Sequence, residues 1–266
     1  MSFSSTSRPN DAPPKLATTW QDDVRAGRLN EALANALATT PNDEAAVQLI
    51  NDLMSLRGYF RAKDWGKAER LARTLALAMT SIAPTFEAEV ILLKGSGERL
   101  ERGDADGALA QLKGAKLPLF LAEAETQRGT ALVFLGEADD AAAAFRRATE
   151  ADPKHYRAIT NLGNVALEAG REDEAIALYG EALKANENFA NAHHNLGVAY
   201  RRKGQVHKSV QAIRKAQRVG RQRDRNDAKE SMRGLVSGRG GRYVKWLLWA
   251  AGAIALYFIL QALNIL

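Results

Sequence analysis

The sequence predicts an all-α protein: helix–turn–helix pairs stacked along most of its length, followed by a single C-terminal membrane-spanning helix. Two observations predict the stack. Five columns of residues recur at intervals of 34 between about Ala122 and Ala216, and one of them is glycine in all three copies where a turn must fall. A third predicts the span: the 21 residues Trp246 to Leu266 contain no charged side chain and follow a stretch crowded with Arg and Lys.

Taken in order, residues 1–15 form a tail. Ser2 to Pro14 is rich in Ser, Pro and Asp, and too poor in apolar residues to order itself. It also lacks the apolar core of a secretory signal. Residues 16–121 read as degenerate helical pairs. Asp22 to Pro41, with Gly27 and Ala32, has the pattern of the second half of a unit. A pair runs from about Asp43 through Trp65, Ala68, Ala72 and Leu75. Ser96, Gly103, Ala108, Leu112 and Ala115 then repeat the later columns with an offset of 33.

Residues 122–220 hold three regular repeats. Gly129, Gly163 and Gly197 share one column, and Gly136, Gly170 and Gly204 another. Ala141, Ala175 and Ser209 form a third, Phe145, Tyr179 and Ile213 a fourth, Ala148, Ala182 and Ala216 a fifth. Small residues let the two helices of a pair approach, and Phe145 and Tyr179 supply bulk. Gly136, Gly170 and Gly204 fall where a left-handed helix end costs glycine little. Pro153 closes one unit and opens the next. One pair alone cannot bury its apolar face, so neighbouring pairs stabilise each other.

These columns resemble the tetratricopeptide repeat. The match is best in ITNLGNVALEAGREDEAIALYGEALKANEN, residues 159–188, and HHNLGVAYRRKGQVHKSVQAIRKA, residues 193–216. The resemblance implies a right-handed α-solenoid whose first helices line a concave groove for a peptide or a partner helix. Carried onto this chain, the inward positions are Thr126, Thr130, Arg157, Thr160, Asn161, Asn164, Glu168, Asn191, His194, Asn195, Val198, Arg201 and Arg202. The asparagines can bond a partner backbone at both donor and acceptor. Co-chaperones of this family hold a C-terminal carboxylate with groove cations. The corresponding sites here are Thr126, Thr160, Asn191 and Asn195, which carry no charge. Arg201 and Arg202 favour an acidic partner one turn further on.

Residues 221–242 form a basic neck. The last repeat helix is expected to end near Gly220, a polar helix from Asn226 to Leu235 to cap the stack, and SGRGGR to act as a hinge. Residues 201–245 hold 15 Lys/Arg against 3 Asp/Glu, a balance of +12. The other residues hold 22 against 28, a balance of −6, so the overall +6 conceals an acidic body beside a basic neck. Residues 243–266 form the transmembrane helix, with Tyr243, Trp246 and Trp249 at its headgroup end. Arg233, Arg239, Arg242 and Lys245 sit just before the span, which places the N-terminal bulk in the cytoplasm. The expectation is a tail-anchored, single-pass protein, of a bacterial inner membrane by its Ala- and Arg-rich composition.

Chemistry is not evident. Cysteine is absent, which excludes disulfides, thiolate zinc sites and thiol nucleophiles. The adjacent pair His193–His194 projects in two directions and cannot chelate as an i, i+4 pair would; in the repeat register His193 packs against its neighbour. GSGERLERG around Gly95 lacks the preceding strand and the lysine of a phosphate loop. Asp139–Asp140 and Glu172–Asp173–Glu174 fall at helix N-termini, where acids favour the helix dipole. No enzyme activity, cofactor, metal or small-molecule substrate is expected. The expected partners are a protein in the groove, and membrane lipid at the C-terminal helix and neck. Nucleic acid is not expected, since RQRDRNDAK carries no aromatic for base stacking. Two alternatives stay open: an accessory subunit of a membrane complex, contacting it through the small residues of AAGAIALYF, and a nucleic-acid or ribosome tether through Arg214 to Arg225.

Overall fold

The computed structural model describes residues 18–237, and every element among them is helical. The chain divides into two compact units, residues 1–187 and 188–266. In the first, α1 (Trp20–Arg25) pairs with α2 (Leu29–Thr39), α3 (Glu44–Ala62) with α4 (Trp65–Met79), and α5 (Phe86–Glu101) with α6 (Ala105–Leu112). A 3-10 turn at Pro118–Phe120 leads into α7 (Leu121–Leu135), which pairs with α8 (Ala138–Ala151), as α9 (Tyr156–Glu168) does with α10 (Glu172–Ala185). The second unit contributes α11 (Ala190–Arg202) and α12 (Val206–Ser237).

Local chemistry sets these boundaries. Asp43, Asp64 and Asp104 each accept a backbone N–H three residues on, capping α3, α4 and α6. Thr19 and Asp22 form a reciprocal capping box at α1. Pairs turn back on a left-handed residue, with φ of +81° at Gly136, +72° at Gly170 and +74° at Gly204. The α3–α4 turn departs from this. Lys63 holds φ 56° there, a conformation in which its Cβ crowds the following carbonyl.

Apolar residues recurring at helical spacing then build two kinds of core. In the first half of unit one, Ile50, Leu53, Leu56 and Phe60 of α3 pack with residues of α1, α2, α4 and α5. The Phe60 and Phe120 rings meet edge-on at 5.3 Å, and Phe86 lies 5.4 Å from Phe120. The Arg57 guanidinium donates to the Leu119 carbonyl at 3.1 Å and the Gly27 carbonyl at 2.6 Å, fastening α3 to two turns. In α7–α10 the core is thinner and rests on close approach. A Cβ on Gly129 would stand 2.6 Å from the Phe145 ring, and one on Gly163 would stand 2.7 Å from Tyr179. Gly197 repeats this in unit two, 2.6 Å from Ile213.

One sequence expectation is corrected. Asn226 to Leu235 is not a separate capping helix, and the last repeat helix does not end at Gly220. α12 runs unbroken from Val206 to Ser237. No proline interrupts it, Gly220 is not in the left-handed region, and the Arg- and Lys-rich stretch beyond favours helix. Arg223 and Asp227 add an i, i+4 pair at 3.7 Å. No helix among the described residues is long and apolar enough to cross a membrane. The span expected at 243–266, the tail 1–15, the glycine-rich hinge and Arg239, Arg242 and Lys245 lie outside those residues. The backbone of Arg233 belongs to α12.

Candidate partner-binding groove

Alanine on α8 makes room for a cleft. α7, α8, α9 and the start of α10 enclose about 650 Å³, and α8 contributes the one-carbon side chains of Ala138 and Ala142 to its wall. Val133 and Val165 are apolar lining. Polar groups come from Thr130 on α7 and from Asn161, Asn164 and Glu168 on α9, with Asp139, Arg146, Arg171 and Glu174 also on the wall. These groups are held in place. Tyr179 donates to the Asn164 amide oxygen at 2.8 Å, Thr130 donates to the Thr126 carbonyl at 2.8 Å, and Arg171 pairs with Glu174 at 2.7 Å. An apolar wall with a few fixed polar groups suits an organic ligand or a peptide segment.

Further toward the N-terminus of α7 lies a sealed polar layer. Glu123 and His155 are each 2% exposed, with His155 Nε2 3.1 Å from a Glu123 carboxylate oxygen. The Ala158 N–H donates to His155 Nδ1 at 3.3 Å, so this histidine caps α9. The hydrogen-bond network therefore assigns the ring proton to Nε2, facing Glu123. Arg157 Nη1 lies 3.2 Å from the same carboxylate and donates to the Phe60 carbonyl at 2.9 Å. Gln127 Nε2 donates to Glu123 at 2.9 Å and to the Leu93 carbonyl at 3.1 Å. Burial alone pushes the Glu123 carboxyl up, but the Arg157 charge and the His155 hydrogen bond outweigh it and hold the group below the usual carboxylate range. Arg61 and Asp152 add an ion pair at 2.8 Å. Glu123 and His155 are closed to substrate, and the layer's groups join α3, α7 and α9. Among the described residues there is no group of three or more His, Asp or Glu placed to hold a metal.

The structure sorts the expected groove residues. Thr130, Asn161, Asn164 and Glu168 meet in the cleft. Thr126 and Thr160 do not line a groove. They are buried, and each hydroxyl donates to the carbonyl one turn back, Ala122 at 2.6 Å and Tyr156 at 2.7 Å. A threonine packed at the helix seam satisfies itself this way and presents nothing to a partner. Arg157 is mostly committed to Glu123 and Phe60, and lines a second pocket of about 270 Å³ that shares Thr130 with the cleft. Asn191, His194, Asn195, Val198, Arg201 and Arg202 lie together on the exposed or half-exposed side of α11, in the second unit.

Sequence reasoning missed the polar layer. A Glu inside LAEAETQRG carries no mark of burial. The one signal was His155, standing three residues before Ala158 at a helix start, in the position of a cap.

The family model described as tetratricopeptide repeat matches residues 126–188 and again 161–228. Among solved structures, the chain is similar to a crystal structure of MamA at 24% identity, over 63% of this chain and 95% of that one, with a TM-score of 0.44. It is similar to MamA 41-end from Desulfovibrio magneticus RS-1 at 27% identity, over 48% and 73%, with a TM-score of 0.40. The second TPR of Spaghetti (RPAP3), bound to the HSP90 peptide SRMEEVD, is similar at 19% identity over 37% and 92%, with a TM-score of 0.36. No curated protein matches the chain. From Thr126 to Ala228, then, the chain matches the tetratricopeptide repeat model.

Proposed function

We propose that this protein is a membrane-anchored interaction scaffold, which takes a segment of a cytoplasmic protein into the α7–α10 cleft and holds it at the membrane. The observation that carries the reading is the cleft itself: about 650 Å³ of apolar wall with Thr130, Asn161, Asn164 and Glu168 converging on it. Backbone groups of an extended or helical segment are the natural complement to such amides. The anchor is supported by the uncharged run Trp246 to Leu266 and the basic residues before it. The sealed Glu123–His155 pair speaks for a structural role in place of catalysis, because no substrate reaches it.

The test is crosslinked affinity purification of the full-length chain from native membranes, beside Ala142→Trp, which fills the cleft. A soluble partner recovered with the parent chain and lost with Ala142→Trp is the expected result. If integral membrane proteins are recovered equally with both, the C-terminal segment makes the specific contact and the recruitment reading is wrong.

A further inference from the structure

α12 keeps its two sides chemically apart. Ser209, Ala212, Ala216 and Val219 are buried on the side where α12 packs with α11. At about 100° per residue, Arg214, Arg218, Arg221 and Arg225 fall within an arc of about 60° on the opposite side. All four are exposed, and none has an ion-pair partner among the described residues. They make a stripe about 16 Å long. The acids of this stretch are set off it. Asp224 lies about 90° from the stripe's centre, and Asp227 about 150°, where it pairs with Arg223 at 3.7 Å. Val210, 42% exposed, and Met232, 64% exposed, continue the same side of the helix beyond either end of the stripe.

Setting topology does not account for these arginines. That rule counts charges within about 15–20 residues of a span, and Arg225, the nearest of the four, stands 21 residues before Trp246. We propose that this face of α12 lies on anionic phospholipid of the membrane that anchors the chain. The planar guanidinium forks match the phosphates of the headgroups, and Val210 and Met232 enter the headgroup boundary at the two ends. Eight residues separate Ser237 from Trp246, at most about 28 Å of chain, so a span beginning at Trp246 keeps the stripe within reach of the surface. Nucleic acid fits less well. No aromatic side chain lies among the four arginines for a base to stack on, and a phosphate backbone offers Val210 and Met232 nothing. Lipid also supplies a packed side to residues 221–229, which have none within the protein. α11, on the opposite side of α12, then stands away from the lipid. The proposal rests on the membrane-anchor reading and says which face of the chain meets that membrane.

The chain has no cysteine, so a fluorophore can be placed at Ala228→Cys, beside the stripe, or at Arg223→Cys, on the far side. Full-length protein is inserted from outside into phosphatidylcholine vesicles, with or without phosphatidylglycerol, and shielding from a neutral aqueous quencher is measured. At Ala228 shielding should arise only with phosphatidylglycerol and vanish as salt is raised. At Arg223 it should not arise. In the Ala228→Cys chain, Arg221→Gln and Arg225→Gln should each lower the ratio of shielded to open protein about fivefold. Arg223→Gln should leave it unchanged. Glutamine keeps arginine's helix propensity, so loss of helix does not mimic loss of charge. Equal shielding at both labels, or an equal loss with Arg223→Gln, would mean diffuse attraction and overturn the proposal. Shielding of Ala228 by added RNA, with none from phosphatidylglycerol, would assign the stripe to nucleic acid and overturn it too. A chain that floats with neutral vesicles after an alkaline wash yet shows no shielding keeps its anchor and loses this face. A chain that does not float with them loses both.

Discussion

At Gly163 one absent carbon sets how close α9 comes to α10. A Cβ there would meet the buried Tyr179 ring at 2.7 Å, while one on Gly180 of α10 would meet nothing within 4 Å. Gly163→Ala should therefore destabilise by about 1–3 kcal/mol through overpacking. Gly180→Ala should stabilise by about 0.5–1 kcal/mol, since it only removes the backbone freedom of a mid-helix glycine. Denaturant unfolding of the two variants distinguishes them by sign. The Gly163 column was legible in the sequence because its partner, Tyr179, recurs with it. Glu123 was not, because its burial depends on Arg157 and His155 arriving from another helix. Its carboxyl is held below its unfolded value, so it contributes stability that is present above about pH 4.3 and is lost as pH falls through the lower folded value. Glu123→Gln should flatten that acid loss in unfolding midpoints measured across pH. At neutral pH it should cost about 1.5–3 kcal/mol, by removing the charged acceptor that half-buried Arg157 and buried His155 share.

Among the elements, the α3–α4 turn and α12 depart most from the repeat. Lys63 occupies the left-handed position that glycine holds in the other turns, and Lys63→Gly should raise stability by up to about 1 kcal/mol in thermal unfolding. If stability falls instead, the ion pair with Glu101 outweighs the backbone strain. The glycine column at the turns made the later pairs readable, and spaced apolar residues such as Ala68, Ala72 and Leu75 did the same for α4. Inward-facing positions were readable only in part. Thr130 and Asn164 reached the cleft, but Thr126 and Thr160 share their helices and went into the seam. The members of each pair stand one turn apart on the same side of their helix, and repeat register alone does not separate their fates. The length of α12 was hidden for a different reason. Gly220 has the look of a stop, yet a glycine ends a helix only when the chain turns left-handed there, and here it does not.

For the whole molecule, the governing pattern is the separation of charge between an acidic body and a basic C-terminal quarter. With the proposed span, this predicts that the full-length chain resists alkaline extraction from membranes, while a chain ending at Val236 is released by it. Residual binding of that shorter chain to anionic vesicles should fall steeply with salt, because surface attraction to Lys and Arg is screened within about 10 Å at 0.1 M. Salt-insensitive binding would mean that the basic residues serve only orientation. α12 gives this arrangement a mechanical aspect. Val219 is its last buried residue in the packed half, and every residue from Arg221 to Lys229 is exposed. A helical stretch with no packed face is marginal in water, since short helices hold only weakly without tertiary support. Under load the outer half of α12 would yield before the repeats do. Residues 221–237 span about 25 Å as helix and about 55 Å as extended chain. With the proposed span, residues 221–237 would form a tether that can roughly double its reach, and tension would melt it before the packed repeats.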